Sequence, residues 1–336
     1  LNRGRLLELI ARARKEVDDG LLPSAQIAVA RNGKLGLFET YGDATNDSLY
    51  CIFSATKAIT SATAWLLIAD GRLDIQRKVA EIVPEFADNG KENITIEQLF
   101  LHTAGFPSAP FRPTDWLDKS RRKERYSSWR LTFEPGTRYE YHPTSSMWII
   151  AEIIERLTLR DFDEFVRNEI ALPLGLGDLW VGTPDEVHAR IATISHVGSP
   201  LTEMDYKEMG FPIPPITEVT PAAIAAYNTP ETRRIPVPGG GGIMSAAELA
   251  LFYQGLIGQN ISGEKLWSKE TINLVTEPRT GELIDNLTGS AINRGLGVII
   301  AGDSKRNHRG FGHTNSASTF GHKGAGGQIA WVDPAS

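Results

Sequence analysis

Apolar residues recur at helical spacing in seven stretches of this chain. In residues 1–17, Leu6, Leu7, Ile10, Ala13 and Val17 share one face, while Arg3, Arg5, Arg12, Arg14, Lys15 and Glu16 lie off it. That pattern predicts an amphipathic helix. A more apolar helix is predicted over 58–69, through Ala58, Ile59, Ala62, Trp65, Leu66, Ile68 and Ala69, ending at Asp70-Gly71. Others are expected at 95–101, 145–157, 162–170, 246–256 and 269–275. Two strand-like runs, 25–30 and 35–38, flank Arg31-Asn32-Gly33-Lys34, and Asn-Gly is a strong hairpin signal. Late strands are expected at 296–300 and 328–332. Strands at both ends and helices between them predict an α+β fold. An antiparallel sheet would come from the N- and C-terminal parts, 1–55 and 290–336, flanked by helices. Residues 56–289 would be an inserted, mainly helical region with active-site loops, the whole packed as one catalytic unit. The long Pro-containing stretches 106–133 and 196–238 lack periodicity and are expected to wall a pocket.

Composition narrows the function. The 336 residues carry a net charge of −6, without the basic footprint of a nucleic-acid binder. The basic cluster at 119–130 contains Glu124 and follows Asp118, which suits a solvated face. Cys51 is the only cysteine, so an intrachain disulfide is excluded, and its setting suits a buried packing thiol. The seven histidines show no H-E-x-x-H spacing, so neither a metal nor a cofactor is expected. No run of about 18 apolar residues predicts a membrane span. The first residues do not form a signal-type apolar core. A cytoplasmic location is therefore expected, or a periplasmic or secreted one if a segment before Leu1 was removed.

The chemistry starts at Ser54-Ala55-Thr56-Lys57, between a strand-like run and the apolar helix. Serine and lysine at i and i+3 share a helix face. Unpaired N–H groups and the positive end of the dipole then favour a serine alkoxide. Serine is also a common N-cap, and S-x-x-K recurs at Ser120/Lys123 and Ser262/Lys265. Only Ser54 precedes a long buried-type helix. No G-x-S-x-G elbow is present. The four glycines 239–242 lack a following Gly-Lys-Ser/Thr, so they predict a tight turn rather than a phosphate loop.

Three segments follow in order: Ser54-x-x-Lys57, then Tyr139-Glu140-Tyr141-His142-Pro143, then His322-Lys323-Gly324-Ala325. Together they resemble the serine β-lactamase and penicillin-binding-protein superfamily. The resemblance is closest to its class C-like branch of family VIII carboxylesterases and D-aminopeptidases. It spans about residue 20 to the end, and implies a β-lactamase/transpeptidase-like fold and a serine hydrolase working through an acyl-enzyme. It makes Ser54 the nucleophile, Lys57 its partner and Tyr141 the proton-transfer tyrosine, with Tyr139 as decoy. Backbone N–H groups of Ser54 and Ala325 would form the oxyanion hole. Pro143, His322 and Gly324 would line the substrate pocket. Pro143 stands where the branch has Asn, and His322 replaces the first Lys of K-T-G. Both changes weaken recognition of β-lactams and peptides, so a carboxylesterase acting on small esters is the leading expectation. The alternatives are a β-lactamase or D-amino-acid-directed peptidase, and a non-catalytic binding or sensor module. The resembled fold continues past the equivalent of Ser336 with a strand and a helix.

Overall fold

The computed structural model describes residues 1–210, 213, 219–260, 262–286 and 289–336. Helix α1 (Arg3–Asp18) is N-capped by Asn2, whose side chain accepts from the Arg5 N–H. It lies on the hairpin β1 (Ser24–Arg31) and β2 (Lys34–Gly42) with Leu6, Ile10, Ala13 and Val17 half-buried. Leu7, counted on the apolar face, is 56% exposed. The hairpin closes at Asn32 and Gly33, with φ of 52° and 71°, the left-handed pair that an Asn-Gly turn requires. β3 (Tyr50–Cys51) follows, then α2 (Thr56–Ala69). α3 (Ile96–Leu101) is held by a Thr95/Gln98 capping box and ends on His102 in the left-handed region, φ 58°. α4 (Lys119–Ser128), α5 (Ser145–Thr158) and α6 (Phe162–Val166) come next.

β4 (Trp180–Val181) precedes three short helices, α7 (Glu203–Glu208), α8 (Pro221–Ala225) and α9 (Pro230–Arg234). β5 (Gly242–Met244), α10 (Ala246–Leu256) and α11 (Lys269–Val275) follow. The chain then forms a small hairpin, β6 (Ile284–Asp285) and β7 (Ser290–Ala291), and three strands, β8 (Ile299–Ile300), β9 (Phe320–Lys323) and β10 (Ile329–Val332). All strand pairs are antiparallel. β1–β2 and β10–β9–β8 form separate ladders, both resting on α10. A third sheet, β3–β5–β4, was not anticipated. β3 falls in the strand-like run before Ser54, whereas β4 and β5 have two and three residues, too few for a periodic signal.

The helical core is built on α2, which packs against α5 and is buried from Thr56 through Trp65. Apolar residues surround it, and its polar threonines turn inward to carbonyls, as Thr60 does to Pro238. The stretch 106–133, expected to lack periodic structure, is more ordered than that. That stretch contains α4 and buries Phe106, Phe111, Trp116, Tyr126 and Trp129 beside Trp148. Aromatic burial, rather than periodicity, organises it. Arg122, inside the basic cluster, is buried and ion-paired with Glu152 and Glu155 of α5, although most of the α4 surface is solvated. Within 196–238, residues 211, 212 and 214–218 lie outside the described residues.

Candidate active site

Ser54, expected at the N-terminus of the long helix, sits two residues before its first residue Thr56, in a 3-10 turn over Phe53–Ala55 that runs into α2. Phe53 adopts φ 45°, unusual for a bulky residue. Its ring is held edge-on against Tyr227, centroids 5.7 Å apart. Thr56 locks the turn: its hydroxyl donates to the Phe53 carbonyl and accepts from the Gly242 N–H at 2.8 Å. Ser54 is thereby half-exposed above a fully buried Lys57.

Lys57 Nζ donates to Ser54 Oγ at 3.1 Å, to the Pro143 carbonyl at 2.6 Å and to the Gly239 carbonyl at 2.7 Å. The glycine run is thus the turn expected, and also a wall of the lysine pocket. A Cβ on Gly239 would stand 3.2 Å from the Pro143 oxygen and 3.5 Å from Lys57 Nζ. Carbonyls can only accept, so these two contacts favour the ammonium form. The other S-x-x-K pairs do not assemble. Lys123 pairs with Glu85, and Ser262 donates to the Pro173 carbonyl.

Tyr139 and Tyr141 both turn toward His102, with ring centroids 6.0 and 4.7 Å from it. Tyr141 remains half-exposed, its ring 5.1 Å from Lys57 Nζ. Burial pushes its phenol up, but the Lys57 and Arg294 charges and hydrogen bonds with Ser54 and Lys57 outweigh that and leave it below the ordinary value. Tyr139 is 1% exposed and accepts from Arg294 Nη2 at 3.1 Å. Burial drives its phenol well above the usual range. Only Tyr141 faces both Ser54 and Lys57.

β9 brings the third segment to the serine turn. Gly324 packs so closely that a Cβ there would lie 2.3 Å from the Ile52 carbonyl; glycine is required for this approach. Gln328 Nε2 ties the β9–β10 turn to the Cys51 carbonyl at 2.6 Å. Ala325 follows, and no hydrogen bond among the described residues uses its N–H or that of Ser54. Lys323 points away from the site and donates to the His308 carbonyl, as strand alternation requires.

His322 is 2% exposed. Its Nδ1 lies 2.7 Å from the Lys323 carbonyl and its Nε2 3.2 Å from Arg294 Nη1. A carbonyl only accepts and a guanidinium only donates, so the ring is the neutral Nδ1–H tautomer. Burial, then the Arg294 and Lys57 charges, hold it well below the usual histidine range. His142 is neutral in the same way. Its Nε2 accepts from Phe106 N–H, its Nδ1 donates to the Glu140 carbonyl, and burial brings it down to about 3. Arg294 escaped the sequence reading, since it lies in no recognisable motif, and no role at the site was read for His102 or the Gly239 carbonyl. Cys51 is buried, and burial pushes its thiol up to about 12.

Among the described residues no group of three His, Cys, Asp or Glu side chains is arranged to hold a metal ion, and no helix is long and apolar enough to cross a membrane. A serine, a buried lysine and a half-exposed tyrosine at the junction of a helical core and an antiparallel sheet define a serine hydrolase of the β-lactamase fold. The beta-lactamase family profile matches residues 9–336, and the chain belongs to that family. It is 28% identical over 310 residues to the "Esterase/beta-lactamase LipL" of Mycobacterium tuberculosis H37Rv, covering 86% of this chain and 67% of LipL. It is 30% identical over 154 residues to a putative D-alanyl-D-alanine carboxypeptidase of Escherichia coli K12, 42% of this chain and 35% of that protein. A penicillin-binding-protein homolog from Caulobacter crescentus superimposes with TM-score 0.78 at 28% identity, over 96% of this chain and 86% of that one. A family VIII carboxylesterase superimposes with TM-score 0.78 at 25% identity and the same coverage.

Proposed function

We propose that this hydrolase is a carboxylesterase acting on small esters that carry no carboxylate near the reacting group. The observation that carries this reading is His322. At the position where a permanent cation would hold a substrate carboxylate stands a neutral ring with both nitrogens engaged inside the protein. Pro143 supports it, since its carbonyl is turned to Lys57 and it offers no side-chain amide to an acylamino group. The similarity to LipL and to a family VIII carboxylesterase structure points the same way.

In this reading Tyr141, as phenolate beside two cations, takes the Ser54 proton while Oγ attacks the ester carbonyl. The N–H groups of Ser54 and Ala325 receive the oxyanion; one such donor is worth roughly 100- to 1,000-fold. As the C–O bond breaks, Tyr141 returns the proton to the leaving alcohol. It then deprotonates the water that attacks the acyl-enzyme and returns that proton to Ser54 Oγ as the acyl C–O bond breaks and the acid departs. Lys57 stays charged throughout, and an ester needs less help to its leaving group than an amide does.

The test compares turnover of a short-chain p-nitrophenyl ester, a chromogenic cephalosporin and a D-alanyl p-nitroanilide by the parent and by Ser54→Ala. Ester preference well above the Ser54→Ala rate is expected. Preference for the lactam or the amide would replace the esterase reading with a β-lactamase or peptidase. Equal rates in both proteins for all three would leave a non-catalytic binding module.

A further inference from the structure

Arg294 is 3% exposed and lies behind the site. Its backbone N–H is held by Thr280 Oγ1 at 3.1 Å, and its carbonyl by the Arg279 N–H at 2.8 Å. The guanidinium donates to His322 and Tyr139, both neutral, and its carbon lies 5.5 Å from the Tyr141 ring centroid. Its Nε is buried without a partner. Other buried arginines of this chain are neutralised: Arg122 by Glu152 and Glu155, and Arg309 by Asp303. Arg294 pairs with no carboxylate among the described residues. A buried charge left unneutralised is strongly unfavourable, so a structural role alone does not account for an arginine here.

The groups around Tyr141 identify what uses that charge. Lys57 faces it from α2 and Arg294 from the approach to β8. His102 after α3 and His322 in β9 stand 4.7 and 6.3 Å from its ring. Both histidines are held neutral by burial. Asp285 in β6 acts on Tyr139 and Lys323. Among the described residues, Tyr141 therefore lies beside two cations, and no carboxylate is paired with either its hydroxyl or Arg294.

We propose that Arg294 is a positioning residue of this site: it fixes His322 as the Nδ1–H tautomer and supplies, from behind Tyr141, the second positive charge that keeps Tyr141 ready to accept the Ser54 proton. This rests on the roles given to Ser54, Lys57 and Tyr141 above.

Two readouts test it. The first is kcat/KM against pH for the short-chain ester in the parent, Arg294→Met and Arg294→Lys. The second needs no turnover: ultraviolet titration of tyrosinate in the Ser54→Ala background, with Tyr141→Phe identifying the Tyr141 signal. Removing a charge at this distance should move both the activity limb and the Tyr141 titration up by about one pH unit or more in Arg294→Met. Most of the lost rate should return at pH values above the shifted limb. Arg294→Lys should stay within about half a unit of the parent. An unmoved limb with activity lowered evenly at every pH would overturn the proposal and make Arg294 a packing residue. If Arg294→Met does not fold, Arg294→Lys decides alone: a titration moved as far as one unit would overturn it. If the parent shows no ester turnover, the esterase reading fails, yet the tyrosinate titration still separates a charge acting on Tyr141 from none.

Discussion

Tyr141 and Tyr139 are two residues apart and turn toward the same histidine, yet they belong to regions of opposite character. Tyr141 stands at the front with Ser54, both half-exposed, where hydroxyls and an ammonium share hydrogen bonds and a proton has several places to go. Tyr139 stands at the rear with His142, His322 and Arg294, all buried, where most polar atoms have one fixed partner. Burial acts on both phenols in the same direction. What separates them is that Tyr141 adds the Lys57 charge and contacts with two groups that can share a proton. In this site burial fixes the geometry and nearby charge makes the chemistry.

The sharpest break of the comparison is at the front. Ser54→Ala should reduce ester hydrolysis toward background, a loss on the order of 10⁵- to 10⁶-fold in kcat, with the fold retained by circular dichroism. A variant retaining more than a tenth of the parent rate would move the nucleophile elsewhere. Tyr141→Phe should lower kcat by about 100-fold or more with KM nearly unchanged. In the proposed mechanism the phenolate is the active form, and the Tyr141 phenol lies below the ordinary tyrosine value, so parent activity should rise with pH to a plateau. The phenylalanine variant should lose that limb. A limb that survives would return the base to Lys57.

The junction between the regions is next. Gly324→Ala places a methyl against the Ile52 carbonyl, so β9 must shift relative to the serine turn. Activity should fall on the order of 10- to 100-fold, more than a surface Gly→Ala change such as Gly177→Ala, which meets nothing within 4 Å. Equal effects would show that the close approach is not needed.

The rear should answer in stability rather than rate. His142 is neutral in the folded state, with burial holding it down at about 3, whereas an unfolded histidine titrates near 6.5. Its contribution is complete above pH 6.5. It is lost as pH falls from there to about 3, because the unfolded chain binds a proton that the native state refuses. Urea unfolding should show this acid slope, and His142→Gln should flatten it; an unchanged slope would place the acid sensitivity in other groups. The smallest effect on rate is expected from Tyr139→Phe. It removes the acceptor for Arg294 Nη2, costs about 1–2 kcal/mol in stability, and leaves kcat within a few-fold. A larger kcat loss than in Tyr141→Phe would reverse the assignment of front and rear.

The amino-acid sequence by itself determined the helix under Ser54, the Asn32-Gly33 hairpin, the late strands and the Ser54–Lys57 contact. All of these rest on spacing within a few residues, where helical and strand periodicity place side chains without help from the rest of the chain. The family resemblance of its three ordered segments also pointed to Tyr141 over Tyr139 before any distance was known. Only the tertiary structure put Ser54 in a 3-10 turn ahead of α2, where a left-handed Phe53 is held by Tyr227 from 174 positions later. Only the tertiary structure turned the Gly239 carbonyl to Lys57 across 182 positions, and set Arg294 between Tyr139 and His322, 155 and 28 positions away. Such contacts leave no local pattern, because a buried charge or a carbonyl is placed by the packing of distant elements and not by its neighbours in the chain. The candidate nucleophile was therefore legible in the sequence, and the charge set around Tyr141 was not.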